Sequence, residues 1–92
     1  MRASYVALEG IEGAGKSTIA GLVARHFRSA GREVVLVREP GGTELGEEIR
    51  RLLLHSGEMS PWAEAALFAA SRAQLVAEVV RPVLERGALV IS

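Results

Sequence analysis

Gly10-Ile11-Glu12-Gly13-Ala14-Gly15-Lys16-Ser17 brings glycines, the chain's only lysine and a hydroxyl together in the spacing G-x-x-x-x-G-K-S. That combination suits a polyphosphate. Glycines let successive backbone N–H groups turn inward around phosphate oxygens, and the start of a following helix adds the positive end of its dipole. Lys16 offers a mobile ammonium to the β- and γ-phosphates, and the Ser17 hydroxyl is placed to ligate Mg²⁺, with Thr18 continuing the cradle. The pattern carries this meaning directly after a strand and at the opening of a helix. Glu12 is the unusual member, because a carboxylate beside bound phosphates is electrostatically unfavourable. A sugar hydroxyl would give it a partner; an exposed loop glutamate facing water is the plainer alternative.

Two further groups have chemical content. Arg38-Glu39-Pro40-Gly41-Gly42-Thr43 places a cation just before turn residues, and Leu67-Phe68-Ala69-Ala70-Ser71-Arg72-Ala73-Gln74 places a ring and a guanidinium four apart, on one face of a helix. Phe68 alone would be read as a core aromatic; with Arg72 one turn along, stacking on a planar ligand is the preferred reading. Arg72 is either a solvated surface charge or, on a helix rich in Ala, Leu and Val, a cation toward the apolar side that needs a partner. A base carbonyl would serve. Arg38 follows four apolar residues and could simply end a strand, but the carboxyl end of a strand is where ligands bind in open α/β sheets.

The elements that must position these groups follow from the apolar pattern. Tyr5–Leu8, Val34–Val37 and Ala88–Ile91 are continuous apolar runs of the kind buried in parallel sheets. A helix is expected from about Lys16 to Ala30, with Ile19, Val23 and Phe27 on its inner stripe and Gly31 as its stop. Thr43 is placed to cap a second helix whose first turn carries Glu44, Glu47 and Glu48 and whose core-facing stripe is Ile49, Leu52 and Leu53. His55 to Met59 reads as a loop, and Ser60-Pro61 as the cap and first position of a long helix. Pro82 lies inside that helix and predicts a kink or break before Gly87. The order strand, helix, strand, two helices, strand requires an α/β fold: a parallel sheet with right-handed crossovers and helices on both faces, within one domain.

Composition excludes several classes of function. The 92 residues carry 11 basic and 11 acidic side chains, so no basic surface is set against a nucleic-acid backbone. Without cysteine there is neither a disulfide framework nor a thiolate metal site. No run is long and apolar enough for a signal peptide or a spanning helix, and the expected location is the cytoplasm. The acids are all glutamates, so an aspartate to organise Mg²⁺ would have to lie outside these residues. His26, His55, Glu9 and Trp62 are assigned no role.

Taken with Leu8-Glu9-Gly10, the three motifs resemble those of the bacterial thymidylate kinases, a P-loop family, along essentially the whole chain. The resemblance implies a P-loop NTPase fold holding three strands of a larger sheet, and phosphorylation of thymidine monophosphate by ATP with Mg²⁺. It implies that Gly10, Ile11, Glu12, Gly13, Ala14, Gly15, Lys16, Ser17 and Thr18 bind ATP, with Ser17 on the metal. Lys16, Glu12 and Arg38 would act in catalysis, with Arg38 and Arg50 lining the acceptor pocket, Phe68 stacking on thymine, Arg72 bonding the base and Glu12 near the deoxyribose. The expected partners are small nucleotides, not nucleic acid or membrane, and a homodimer is left open. Relatives continue past the third strand into an Asp-Arg-Tyr-like segment and an arginine-rich lid, so the 92 residues are expected to be an N-terminal portion, inactive by themselves. Where some relatives have an arginine in the P-loop, this chain has Gly13 and Ala14. A deoxynucleoside kinase with Glu9 as base, or a non-catalytic ATP-binding module, is the alternative.

Overall fold

The computed structural model describes residues 4–8 and 15–92, and only the backbone of Lys16 and Ser17. The chain divides into two compact units, Met1–Val37 with Val83–Ser92, and Arg38–Pro82.

The first unit contains the sheet. Strands β1 (Ser4–Val6), β2 (Val34–Leu36) and β3 (Leu89–Ile91) run parallel in the spatial order β1-β3-β2. Ser4 and Val34 both pair with Leu89, and Val6 and Leu36 both pair with Ile91. The ladder runs slightly beyond the strands, through Leu8 N to Ser92 O at 3.0 Å and Val37 N to Ile91 O at 2.9 Å. The central position of β3 explains why Leu89, Val90 and Ile91 are all buried. In the outer strands Tyr5 and Leu36 are exposed, so the continuous burial expected of all three runs holds for β3 alone.

Helix α1 (Lys16–Ser29) covers one face of this sheet. Ala24 packs with Val34, Leu89 and Ile91, joined by Ala20, Val23 and Phe27. The inner stripe is therefore set by the two alanines, which allow close approach to the sheet. Ile19, expected on it, faces outward. Gly31, with φ of 86°, takes the left-handed conformation that ends the helix.

In the second unit, α2 (Glu44–His55) packs on α3 (Pro61–Leu75). Thr43 and Ser60 cap these helices as their sequence positions predict, accepting bonds from Gly46 N at 2.8 Å and Ala63 N at 3.1 Å. Gly46 and Ile49 are the buried positions of α2, while Leu52 is turned outward. The chain continues through a π-helical turn at Val76–Val80 into α4 (Arg81–Glu85). The helix is disturbed next to Pro82, as expected, but by a π-helical turn and not by a break. Proline has no N–H and its ring crowds the carbonyl of the preceding turn; the helix widens just before it, with Arg81 N–H reaching back to Val76 O, and so passes through.

Candidate nucleotide-kinase site

In the sheet unit, the chain leaves β1 through Leu8 and re-enters description at Gly15. Gly10, Ile11, Glu12, Gly13 and Ala14 lie outside the described residues, as do the side chains of Lys16 and Ser17. What is described fits the start of a phosphate-binding helix. Gly15 has φ of 83°, a left-handed conformation costly to any residue with a Cβ. It opens α1 without a side-chain cap, and its carbonyl accepts the first helical bond, from Ile19 N at 3.0 Å. No acidic residue lies in the first turn. The leading N–H groups of a helix need a partner, and an anion is the one their dipole favours. Thr18 is exposed in that turn.

The second unit places three of the other candidate residues, Arg38, Arg50 and Arg72, at one loop, and carries Phe68 on α3. Residues 38–43 leave the end of β2 and reach Thr43 through Gly41 and Gly42, whose φ values are 133° and 82°. Gly41 N donates to the buried Ser71 Oγ of α3 at 3.0 Å, and Gly42 N donates to Glu47 Oε2 of α2 at 2.8 Å. The two glycines are necessary for this closeness. A Cβ on Gly41 would run into Glu47 Oε2, and one on Gly42 would stand 2.7 Å from Leu75 Cδ1. Arg50 Nη1 adds a third bond from α2, to Pro40 O at 3.0 Å. The peptide bond between Glu39 and Pro40 is cis.

Arg38, Arg50 and Arg72 each have a carboxylate or carbonyl partner. Arg38 Nε donates to Glu47 Oε2 at 3.1 Å, and its Nη2 donates to Oε1. The bond from Arg38, followed by that from Gly42 N, holds the Glu47 carboxyl at about 2. The same pairing raises the Arg38 pKa. Arg72 donates through Nε to Glu39 Oε1 at 2.7 Å and through Nη2 to Oε2 at 3.1 Å. Its guanidinium is exposed, so the partner expected of a cation on an apolar helix is, within the protein, a carboxylate at the helix surface. Phe68, one turn before Arg72, is 43% exposed and available for ring stacking.

Arg38, Phe68 and Arg72 are candidates that the sequence put forward, and Arg50 is one that the family resemblance implied. Glu39, Glu47 and Ser71 were not read as site residues. Glu47 looked like a dipole-favoured acid in a first helical turn, and Ser71 like a neutral helix position. A serine between alanines and an arginine was the available signal, since it is buried to 1% exposure and its hydroxyl is satisfied by the loop. Among the described residues there is no cluster of His, Cys or acidic side chains fit to hold a metal, and no helix long and apolar enough to cross a membrane.

Comparison with known proteins agrees along the chain. Residues 8–92 match the family model described as thymidylate kinase. The thymidylate kinase of Leifsonia xyli subsp. xyli is 56% identical over 89 residues, covering 96% of this chain and 42% of that protein. That of Pseudomonas fluorescens is 56% identical over 93 residues, covering 99% of this chain and 44% of the relative. The crystal structure of thymidylate kinase from Ehrlichia chaffeensis superposes with a TM-score of 0.91 at 33% identity, over 99% of this chain and 52% of that one. This chain thus spans less than half the length of these two curated relatives. Strand order, loop chemistry and sequence point the same way, and the chain belongs to the thymidylate kinase family.

Proposed function

We propose that the protein transfers the γ-phosphoryl group of ATP to the 5′-phosphate of thymidine monophosphate, giving thymidine diphosphate and ADP. The observation that carries this reading is the loop 38–43, fastened to α2 and α3 and presenting Arg38 and Arg50, with Phe68 and Arg72 on α3. A phosphate monoester needs cations, a pyrimidine ring needs a stacking surface and an edge donor, and these residues supply both kinds of contact.

In this reading the backbone of residues 10–18 holds the ATP phosphates at the start of α1, with Lys16 against the β- and γ-phosphates. Mg²⁺ bound through Ser17 supplies charge neutralisation. The acceptor oxygen attacks γ-phosphorus in line while the bond to the β-phosphate oxygen breaks. No general base is required, because a phosphate monoester with a second pKa of about 6 is mostly dianionic at neutral pH. The residues act by position and by charge, with Arg38 and Arg50 on the acceptor phosphate, Phe68 and Arg72 on the base and Glu12 toward the sugar. The proposed location is the cytoplasm and the proposed partners are the two nucleotides.

Product analysis with the full-length protein tests this against the deoxynucleoside-kinase alternative. Thymidine monophosphate with ATP should give thymidine diphosphate, and thymidine should give nothing. Formation of thymidine monophosphate from thymidine would overturn the reading.

A further inference from the structure

We infer that Glu47 is a positioning residue for the acceptor: its carboxylate fixes Arg38 and the Gly41-Gly42 turn together, so that one edge of the guanidinium is aimed to take the acceptor phosphate. This rests on the phosphoryl-transfer reading above.

The geometry is that of one carboxylate serving two masters. Glu47 Oε2 accepts from Gly42 N at 2.8 Å and from Arg38 Nε at 3.1 Å, while Oε1 accepts from Arg38 Nη2. A guanidinium is a rigid planar fork with two edges able to meet an anion side by side. Glu47 occupies the Nε–Nη2 edge, and the outer Nη1–Nη2 edge is the one suited to a phosphate.

The pair does little for the fold. Its side chains are 58% and 39% exposed, and ion pairs so placed contribute little to stability. Its effect is to remove rotamer freedom from a long side chain before the ligand arrives, which lowers the ordering cost that binding must otherwise meet. The turn is matched to the same end. Glycine at 41 admits the carboxylate, where a Cβ would collide with it, and Ser71 holds Gly41 N from the other helix. The remaining bond of Glu47, to Gly42 N, ties the aim of the guanidinium to the position of the backbone that carries it. This differs from Glu48 one residue on, which pairs with Arg51 on the exposed helix surface.

The test is steady-state kinetics of the full-length protein with Glu47→Gln, and Glu48→Gln as a control for the same change in net charge. Glu47→Gln should raise the KM for thymidine monophosphate about tenfold, the scale of a lost charge-assisted bond. The KM for ATP and the thermal midpoint should stay near wild type, and Glu48→Gln should leave both KM values unchanged. An unchanged KM for thymidine monophosphate would overturn the inference, as would equal rises in both KM values with a lowered midpoint, which marks a merely structural residue. A fall in that KM would overturn it too, making Glu47 a competitor of the phosphate. If Glu47→Gln does not fold, Glu47→Asp keeps the charge, withdraws the carboxylate by one methylene and is judged on the same terms. A wild type that makes no thymidine diphosphate removes the reading beneath and this inference with it, an outcome distinct from an active wild type with an indifferent Glu47→Gln.

Discussion

Glu47 lies between loop and helix with its carboxyl held at about 2, against an ordinary value of 4.5. A depressed carboxyl adds stability that is complete above its unfolded value and is lost as pH falls toward its folded one. The loss therefore falls between about pH 4.5 and 2, and Glu33, lowered by its bond from Arg86, acts in the same direction. Because both side chains of the pair are exposed, that contribution is small: urea unfolding should give nearly equal stabilities for wild type and Glu47→Gln at pH 6 and only a slightly smaller loss for Glu47→Gln at pH 3. A variant much less stable than wild type at pH 6 would make the pair a structural one. Phe68→Ala should raise the KM for thymidine monophosphate by about tenfold or more with little change for ATP, since removing a stacked ring costs about 1–3 kcal/mol per base. Equal changes for both substrates would contradict a role for Phe68 at the acceptor base. Lys16→Ala should abolish turnover with the circular dichroism spectrum unchanged, and near-normal activity at saturating ATP would remove Lys16 from its assigned place. Lys16 and Phe68 were put forward by the sequence because each belongs to a spaced motif, whereas Glu47 read only as an acid in a first helical turn. Glu39 and Ser71 were not put forward, because their partners lie 33 and 30 residues away; nothing local to Glu39 signals the contact, and a serine among alanines does not say what its hydroxyl meets.

At the scale of elements, capping residues were the most readable signals, because a cap acts within a few residues of itself. Thr43→Ala should cost about 1 kcal/mol of stability, measured by denaturant unfolding, and it should also loosen the loop that ends at Thr43. A variant as stable as wild type would show that the bond from Gly46 N contributes nothing. Helix faces were less readable. The stripe of α1 was read as Ile19, Val23 and Phe27; Val23 and Phe27 do pack on the core, but Ile19 is exposed and Ala20 and Ala24 join them, small side chains that let the backbones approach. Leu52 on α2 was misplaced for a related reason, the buried line being set by Gly46, where the loop carbonyl of Gly41 comes close. The turn at Val76–Val80 was hidden because Pro82 announces a disturbance without stating its form, and a widened turn meets the missing N–H as well as a kink does.

On the scale of the whole molecule, three short apolar runs and the helices between them specified a parallel α/β sheet. The order β1-β3-β2 was not legible from the apolar runs, since periodicity does not say which strand is central. Only after pairing does the difference among the strands become visible, with β3 buried throughout and β1 leaving Tyr5 exposed at an edge. The central claim is a reaction, and it is tested most directly by phosphorus NMR of the full-length protein with ATP, Mg²⁺ and thymidine monophosphate. The acceptor's single resonance should be replaced by the two coupled resonances of thymidine diphosphate as ATP becomes ADP. An acceptor resonance that persists, whether ATP survives or is hydrolysed to ADP and inorganic phosphate, would contradict the account.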